Sequence, residues 1–413
     1  MPHGEPVSLL IVTLSAAEGR FFVSFVNQER FISMKKLFYL GIIGIILYEV
    51  AKVYFIMPMP GSQRMNSIDL AYFLHTWRWA FRVTCWLLIL VGSVGVLRAK
   101  MKWLPVLLLI LALGISYATN YEMAADTMFY QPSTLLMQNA AGNKVNADRL
   151  VIGAVVNGEA KAYPIQFIGY HHQVRDSLGG KPVMVTYCTV CRTGRVFEPV
   201  VNGKTEHFRL VGMDHFNAMF EDGTTGSWWR QANGEAIAGE LKGQILSEIA
   251  SAQTSLRQWL KLYPNSSIMQ PDPAYQAKYD SMSRYETGKN KSLLTRADSL
   301  SWKEKSWVVG VISSDGSKAF DWNRLKKEQL ILDQVGSMPV AVVLAADKKS
   351  FFAFENQHQE KLRLQNDTIY SEKAAYNLLG NRIAGAGEDL KPLKAYQEYW
   401  HSWKTFHPET RQY

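Results

Sequence analysis

Lys181-Pro-Val-Met-Val-Thr-Tyr-Cys-Thr-Val-Cys191 is answered, 157 residues later, by Met338-Pro-Val-Ala-Val-Val-Leu-Ala-Ala-Asp-Lys348. The correspondence runs without a gap from Leu150-Val-Ile-Gly153 against Trp307-Val-Val-Gly310 to Phe197-Glu198 against Phe354-Glu355. Within that frame Gly153 falls on Gly310, Ala162 on Ala319, Asp176 on Asp333, Pro182 on Pro339, Val185 on Val342 and Phe197 on Phe354. Further on the frame slips, yet Gly234-Glu-Ala-Ile-Ala-Gly239 still answers Gly380-Asn-Arg-Ile-Ala-Gly385. Likewise Trp259-Leu-Lys-Leu-Tyr-Pro264 answers Trp403-Lys-Thr-Phe-His-Pro408. The shared positions are mostly Gly, Pro and apolar residues, which set turns and cores rather than chemistry. The reading is one fold used twice, with a first repeat over 143–264, a connection over 265–305 and a second repeat over 306–413.

Where the copies differ, the first keeps the reactive side chains. Cys188 faces Ala345, Cys191 faces Lys348, and His171-His172 face Glu328-Gln329. The second repeat therefore reads as a structural partner. From Asn143 to Leu210 strand follows strand, punctuated by Asn157-Gly158, Gly179-Gly180 and Asn202-Gly203. Helical spacing is confined to Ser251 to Leu262, Ser371 to Leu379 and Leu393 to Phe406. The expected fold class is membrane-anchored α+β, with three N-terminal transmembrane helices followed by a mainly antiparallel β domain built from two duplicated halves.

The anchor occupies residues 34–118 and a linker follows over 119–142. Three apolar runs, Leu37 to Met57, Trp79 to Leu97 and Trp103 to Tyr117, approach the roughly 17 to 25 residues that a spanning helix needs. Arg30, Lys35 and Lys36 precede the first run, and Arg98, Lys100 and Lys102 crowd the loop between the second and third. Residues 119 to 143 contain no Lys or Arg. That asymmetry puts the amino end in the cytoplasm and the β domain outside, where thiols meet an oxidising compartment. Residues 1–33 read as a disordered tail or as an extension upstream of a natural start at Met34, and the first run as an uncleaved anchor. Glu49 and Lys52, three apart inside the first run, read as a mutually neutralising pair rather than a proton relay. Cys85 in the second run reads as a small buried hydrophobe. The net charge of +9 comes with no nucleic-acid motif, so nucleic acid is not an expected partner.

Cys188 and Cys191 can close a disulfide, hold a soft metal, or act as attacking and resolving thiols. The leading reading is thiol redox chemistry of the thiol–disulfide oxidoreductase type, with Arg192 or His171 stabilising the thiolate. A thioredoxin-like fold is excluded, because Thr193-Gly-Arg-Val-Phe197 continues as a turn into a strand rather than opening a helix. The alternatives are a copper or zinc site formed by Cys188, Cys191 and His171, and an envelope interaction module whose cysteines are a structural staple. No cofactor is required by the sequence. Asp222, Thr225, Ser227, Trp229 and Gln231 form a further polar and aromatic group, read either as a pocket lining or as a turn cap with core indoles.

The string Thr186-Tyr-Cys-Thr-Val-Cys-Arg-Thr193, with Ala162-Tyr-Pro164, His171 through Asp176 and Asp222 through Gly239, resembles the bacterial and archaeal domain-of-unknown-function family 3179 over roughly residues 143 to 410. The resemblance assigns no activity. Relatives with selenocysteine in place of a cysteine favour redox chemistry at Cys188 or Cys191. Cys188, Cys191, His171, Asp176, Asp222, Trp229 and Gln231 fall on motif positions of the family. The sequence departs from the usual His-Glu-x-x-Asn-Asp by reading His171-His-Gln-Val-Arg-Asp176, and has Thr189-Val190 where Pro-Leu is common. The implied location is the inner (cytoplasmic) membrane of a bacterium, with the soluble domain on the periplasmic or extracellular side and an unidentified redox or envelope partner.

Overall fold

The computed structural model describes residues 33–98 and 101–413. Apart from Ser33, the tail expected over residues 1–33 lies outside the described residues, as do Arg30 and Lys100. The chain divides into a helical unit, residues 33–59 and 67–124, and a β unit, residues 60–66 and 125–413.

The helical unit contains three helices long and apolar enough to cross a membrane, Ser33–Tyr54, Arg78–Leu97 and Trp103–Glu122. Glycines let the first two approach closely. A Cβ on Gly92 would lie 2.2 Å from the Phe38 nitrogen, and one on Gly41 2.7 Å from the Cys85 carbonyl oxygen. Cys85 is half-buried at that contact, the packing role expected of it. Glu49 is buried, and its main partner is Arg82, which the sequence did not single out. The guanidinium makes a forked pair at 2.7 and 3.1 Å. Lys52 stands 3.5 Å from the same carboxylate and Asn120 donates to it at 2.9 Å. The carboxylate is therefore held by groups from all three helices, and its charge is met by Arg82 as well as by Lys52.

The β unit is built almost wholly from antiparallel ladders. In its first half, Leu150–Val156 and Glu159–Pro164 pair around Asn157-Gly158, whose φ angles of 49° and 83° suit a two-residue hairpin turn. Ser251–Ser255 flanks them on one side, and Ser267–Met269 adds in parallel on the other. A second sheet runs in the order Glu248–Ile249, Thr193–Phe197, Lys181–Cys188, Gln173–Leu178, and a third in the order Ala236–Ala238, Trp228–Arg230, Asn217–Asp222, Phe208–Asp214.

The second half places Trp307–Ser313 and Gly316–Asp321 between Ala395–Tyr399 and a parallel Arg411–Gln412. Its second sheet is Leu330–Val335, Met338–Leu344, Phe351–Glu355 and Lys391–Leu393, and its third Arg363–Gln365, Thr368–Tyr370, Ala374–Tyr376 and Arg382–Gly385.

Two of the three expected helices are strand followed by helix. Ser251–Ser255 leads into Leu256–Leu262, and Ala395–Tyr399 into Trp400–Phe406. The third, Ser371 to Leu379, forms no helix, because Ala374–Tyr376 is claimed by ladders on both sides. Two seven-residue helices were not foreseen, Ile165–His171 and Trp322–Glu328. Each closes on a left-handed residue, His172 and Gln329 respectively.

The Trp259 and Trp403 rings lie flat against glycine backbones. A Cβ on Gly153 would meet Trp259 at 2.3 Å, and one on Gly310 would meet Trp403 at 2.1 Å. Their indole N–H groups end on Ser266 and Thr410 at 2.7 and 2.8 Å. Gly153→Ala and Gly310→Ala must each push a fully packed ring aside, an overpacking cost of about 1–3 kcal/mol. Thermal unfolding of either variant is expected to show a lowered Tm, and an unchanged Tm would contradict the packing described.

Candidate functional site

The strand Lys181–Cys188 and the strand Thr193–Phe197 form a hairpin whose last register pair is Cys188 with Thr193. The loop between them holds Cys191, and Arg192 closes it with φ of 60°. This geometry brings the two sulfurs to 3.4 Å, without a disulfide bond. Both cysteines are fully buried, in a cluster with Val190, Phe197, Phe220 and Trp229.

The two sulfurs share one acceptor. Phe216 O lies 3.1 Å from Cys191 Sγ and 3.5 Å from Cys188 Sγ. Phe216 sits in the tight turn between Phe208–Asp214 and Asn217–Asp222, where His215 and Phe216 have φ of 50° and 67°. Two successive non-glycine residues in this region store strain, on the order of 1–3 kcal/mol each. The turn is held by His215 Nδ1 on Asp214 Oδ1 at 2.6 Å and by donation from the Phe216 N–H to Gln63 Oε1 at 3.0 Å.

The thiols are electrostatically unequal. Burial opposes ionisation of both. At Cys188 the Cys191 S–H and the backbone N–H groups of Ala218, Cys191 and Val190 donate to the sulfur, and together they hold its pKa below the ordinary thiol value. At Cys191 burial and the bond it donates to Cys188 act in the same direction and push its pKa well above that value. The bonds around the pair thus favour ionisation at Cys188 over Cys191.

The cation at this loop is Lys305. Its Nζ donates to Val190 O at 2.7 Å, lies 3.0 Å from His401 Nε2 and stands 4.6 Å from the Tyr399 ring centre. Burial lowers its pKa to about 8, against the pull of the two sulfurs. His401 Nε2 is also 3.2 Å from Val190 O, and burial next to the Lys305 charge lowers its pKa to about 3, so the ring is neutral near pH 7. Tyr399 N–H donates to Cys191 O at 2.8 Å. The second half therefore supplies groups that touch the thiol loop, a correction to its reading as a purely structural partner. Phe216, Lys305 and His401 also line a cavity of about 400 Å³ together with Gln63, Leu293 and Leu294. None of the four groups around the loop was marked by the sequence. Lys305 lies 115 positions from Val190 and His401 lies 211, so no local pattern signals them.

Arg192, expected to stabilise the thiolate, directs its charge elsewhere. Its guanidinium lies 3.5 Å over the Trp307 ring and donates to Gln397 Oε1 at 2.8 Å and Glu286 O at 3.0 Å. His171 uses both ring nitrogens, Nδ1–H donating to Tyr130 O and Nε2 accepting from Tyr279 OH at 2.6 Å. No lone pair is left for a metal. Among the described residues no three His, Cys, Asp or Glu side chains are gathered to hold one, so Cys188, Cys191 and His171 do not form the expected ligand set.

Asp176 pairs with Lys161 at 3.0 Å and accepts from Tyr163 OH at 2.8 Å, just as Asp333 pairs with Lys318 at 2.7 Å. Asp222 caps its own turn, accepting from Thr225 N at 2.6 Å and Trp229 Nε1 at 2.9 Å, and Ser227 completes that turn through Thr225. These residues hold a loop rather than line a pocket. Gln231 does reach the thiol hairpin, donating to Thr186 Oγ1 at 3.0 Å and Thr193 O at 3.1 Å while accepting from Asn217 Nδ2 at 3.0 Å.

Comparison with known proteins gives one match. No curated protein and no solved structure matches the chain. A family model described as protein of unknown function (DUF3179) matches residues 132–410, which takes in the thiol loop, the strained turn, Lys305 and His401. The chain belongs to the DUF3179 family.

Proposed function

We propose that this chain is a membrane-anchored, externally facing dithiol redox protein in which Cys188 is the attacking thiol and Cys191 the resolving one. The observation that carries the reading is the pair of free, buried sulfurs 3.4 Å apart on one hairpin loop. A disulfide needs about 2.05 Å, so closure asks for a small adjustment of one loop.

The Cys188 thiolate attacks a disulfide of a partner, whose S–S bond breaks to leave a mixed disulfide and a partner thiolate. The Cys191 proton passes to that thiolate. Cys191 then attacks Cys188 Sγ, closing the internal disulfide and releasing the second partner sulfur. The partner gains two electrons and this chain loses two. Access requires the His215-Phe216 turn to swing from the sulfurs, and its left-handed strain lowers the cost of doing so. The cavity of about 400 Å³ beside Phe216, Lys305 and His401 is the side of approach. The external location rests on the Lys and Arg excess before the first span and between the second and third.

The two halves of the β unit are read as copies of one fold, of which the first kept its sulfur. Corresponding sheet orders, the paired Trp–Gly contacts, the left-handed helix ends and the Asp–Lys pairs support this.

The reading is tested by equilibrating the full chain in buffers of defined thiol–disulfide poise and trapping free thiols. The expected reduction potential lies between about −300 and −120 mV, the range of exchanging disulfides. A value below about −300 mV would make the pair a structural staple instead.

A further inference from the structure

A cavity of about 420 Å³ separate from the thiol approach is lined by Arg192, Trp307, Trp322, Glu286 and Lys349. Arg192 is fully buried, and its Nη1 has no hydrogen-bond partner among the described residues. The same holds for Trp307 Nε1 and for Glu286 Oε1. Three buried polar atoms without partners, all on residues that line one cavity, are costly unless something meets them. Two of the three are donors, and one is a guanidinium.

The charge around them is net positive. Arg149, Lys326 and Lys348 also line the cavity, giving five cations against Asp148 and Glu286. Asp148 is already paired with Arg257 at 3.1 Å. Glu286 has its other oxygen engaged, Oε2 accepting from Leu150 N–H at 3.2 Å and standing 3.8 Å from Arg149. The indole walls of Trp307 and Trp322 supply an apolar surface beside the charge, the mixture that small-molecule sites show.

We propose that this cavity binds a small organic anion, its oxyanion group held by Arg192 Nη1 and Trp307 Nε1 and its body laid against the two indoles. The oxyanion is a carboxylate or a phosphate. The proposal stands apart from the thiol reading, since it uses neither sulfur, nor Lys305, nor His401.

Titration calorimetry on the full chain in detergent, with benzoate and with inorganic phosphate as probes, tests it. At least one probe is expected to bind in the millimolar range or tighter, and which one binds identifies the group. Trp307→Phe keeps an aromatic ring under Arg192 and removes the donor, so it is expected to weaken binding about tenfold. The charge reversal of two exposed lining residues, Lys326→Glu with Lys348→Glu, is expected to weaken it by at least as much. Failure of both probes to bind the wild type would overturn the proposal. So would binding that survives both variants unchanged.

Discussion

Cys191→Ser is expected to arrest the chain at a mixed disulfide. With the resolving sulfur gone, Cys188 still attacks a small disulfide such as glutathione disulfide, but nothing on the chain displaces the adduct. Intact-mass measurement should show one glutathione on Cys191→Ser and none on Cys188→Ser, and turnover should fall on the order of 10³-fold or more in both, as when one member of a catalytic unit is removed. The direction follows from the site, where Cys188 carries the lowered pKa and Cys191 the raised one. An adduct on Cys188→Ser instead would reverse the assignment. The pH profile of Cys188 alkylation is expected to have its midpoint below the ordinary thiol value of about 8.5. Lys305 is an ammonium below about pH 8 and neutral above, so its support for the thiolate is present at the lower pH and fades as pH rises. Lys305→Met should therefore move the alkylation midpoint upward.

Arg195→Met is expected to give the largest loss of stability. Arg195 of the thiol hairpin is buried and donates to Glu398 of the second half at 3.0 Å, with its guanidinium 3.1 Å from the centre of the Tyr396 ring. Removing one member of a buried pair leaves the other charge uncompensated, at a cost of about 3–5 kcal/mol. Glu398 is fully buried, and burial raises its pKa even with Arg195 present. Without Arg195 the folded carboxyl prefers its proton more strongly than the unfolded one. The stability it offers is then greatest below the unfolded carboxyl value of about 4.3 and is lost as pH rises through the folded pKa. Thermal unfolding of the variant should accordingly improve as pH is lowered from 7 toward that value. The double variant Arg195→Met with Glu398→Gln should recover part of the loss at pH 7. An effect of Glu398→Gln that is the same in the wild type as in Arg195→Met would show that the pair is not coupled.

Much of the scaffold was legible because its constraints are local. Gly153 and Gly310 stand out because each must leave room for a tryptophan ring, which a Cβ would enter. Asn157-Gly158 and Gly179-Gly180 announced their turns through the positive φ they adopt. The segment Ser371 to Leu379 misled because its alanines favour helix locally, while pairing with Thr368–Tyr370 and Arg382–Gly385 decides the outcome. Ile165–His171 and Trp322–Glu328 span only two turns, too short for an apolar period to declare itself.

The thiol pair was legible, but its surroundings were not. Arg192 was placed beside the sulfurs by sequence adjacency, yet its left-handed backbone turns the side chain to Trp307 and Gln397. Lys305 sits in what reads as a mere connection, and His401 in the half without cysteines. Both reach Val190 only through the folded chain.

The most direct measurement is the mass of the peptide that contains Cys188 and Cys191, after the full chain meets glutathione disulfide and again after reduction. The predicted result is a peptide lighter by two hydrogens on oxidation and restored on reduction, with no retained adduct. A peptide of unchanged mass, with both thiols still free under oxidising conditions, would contradict the account.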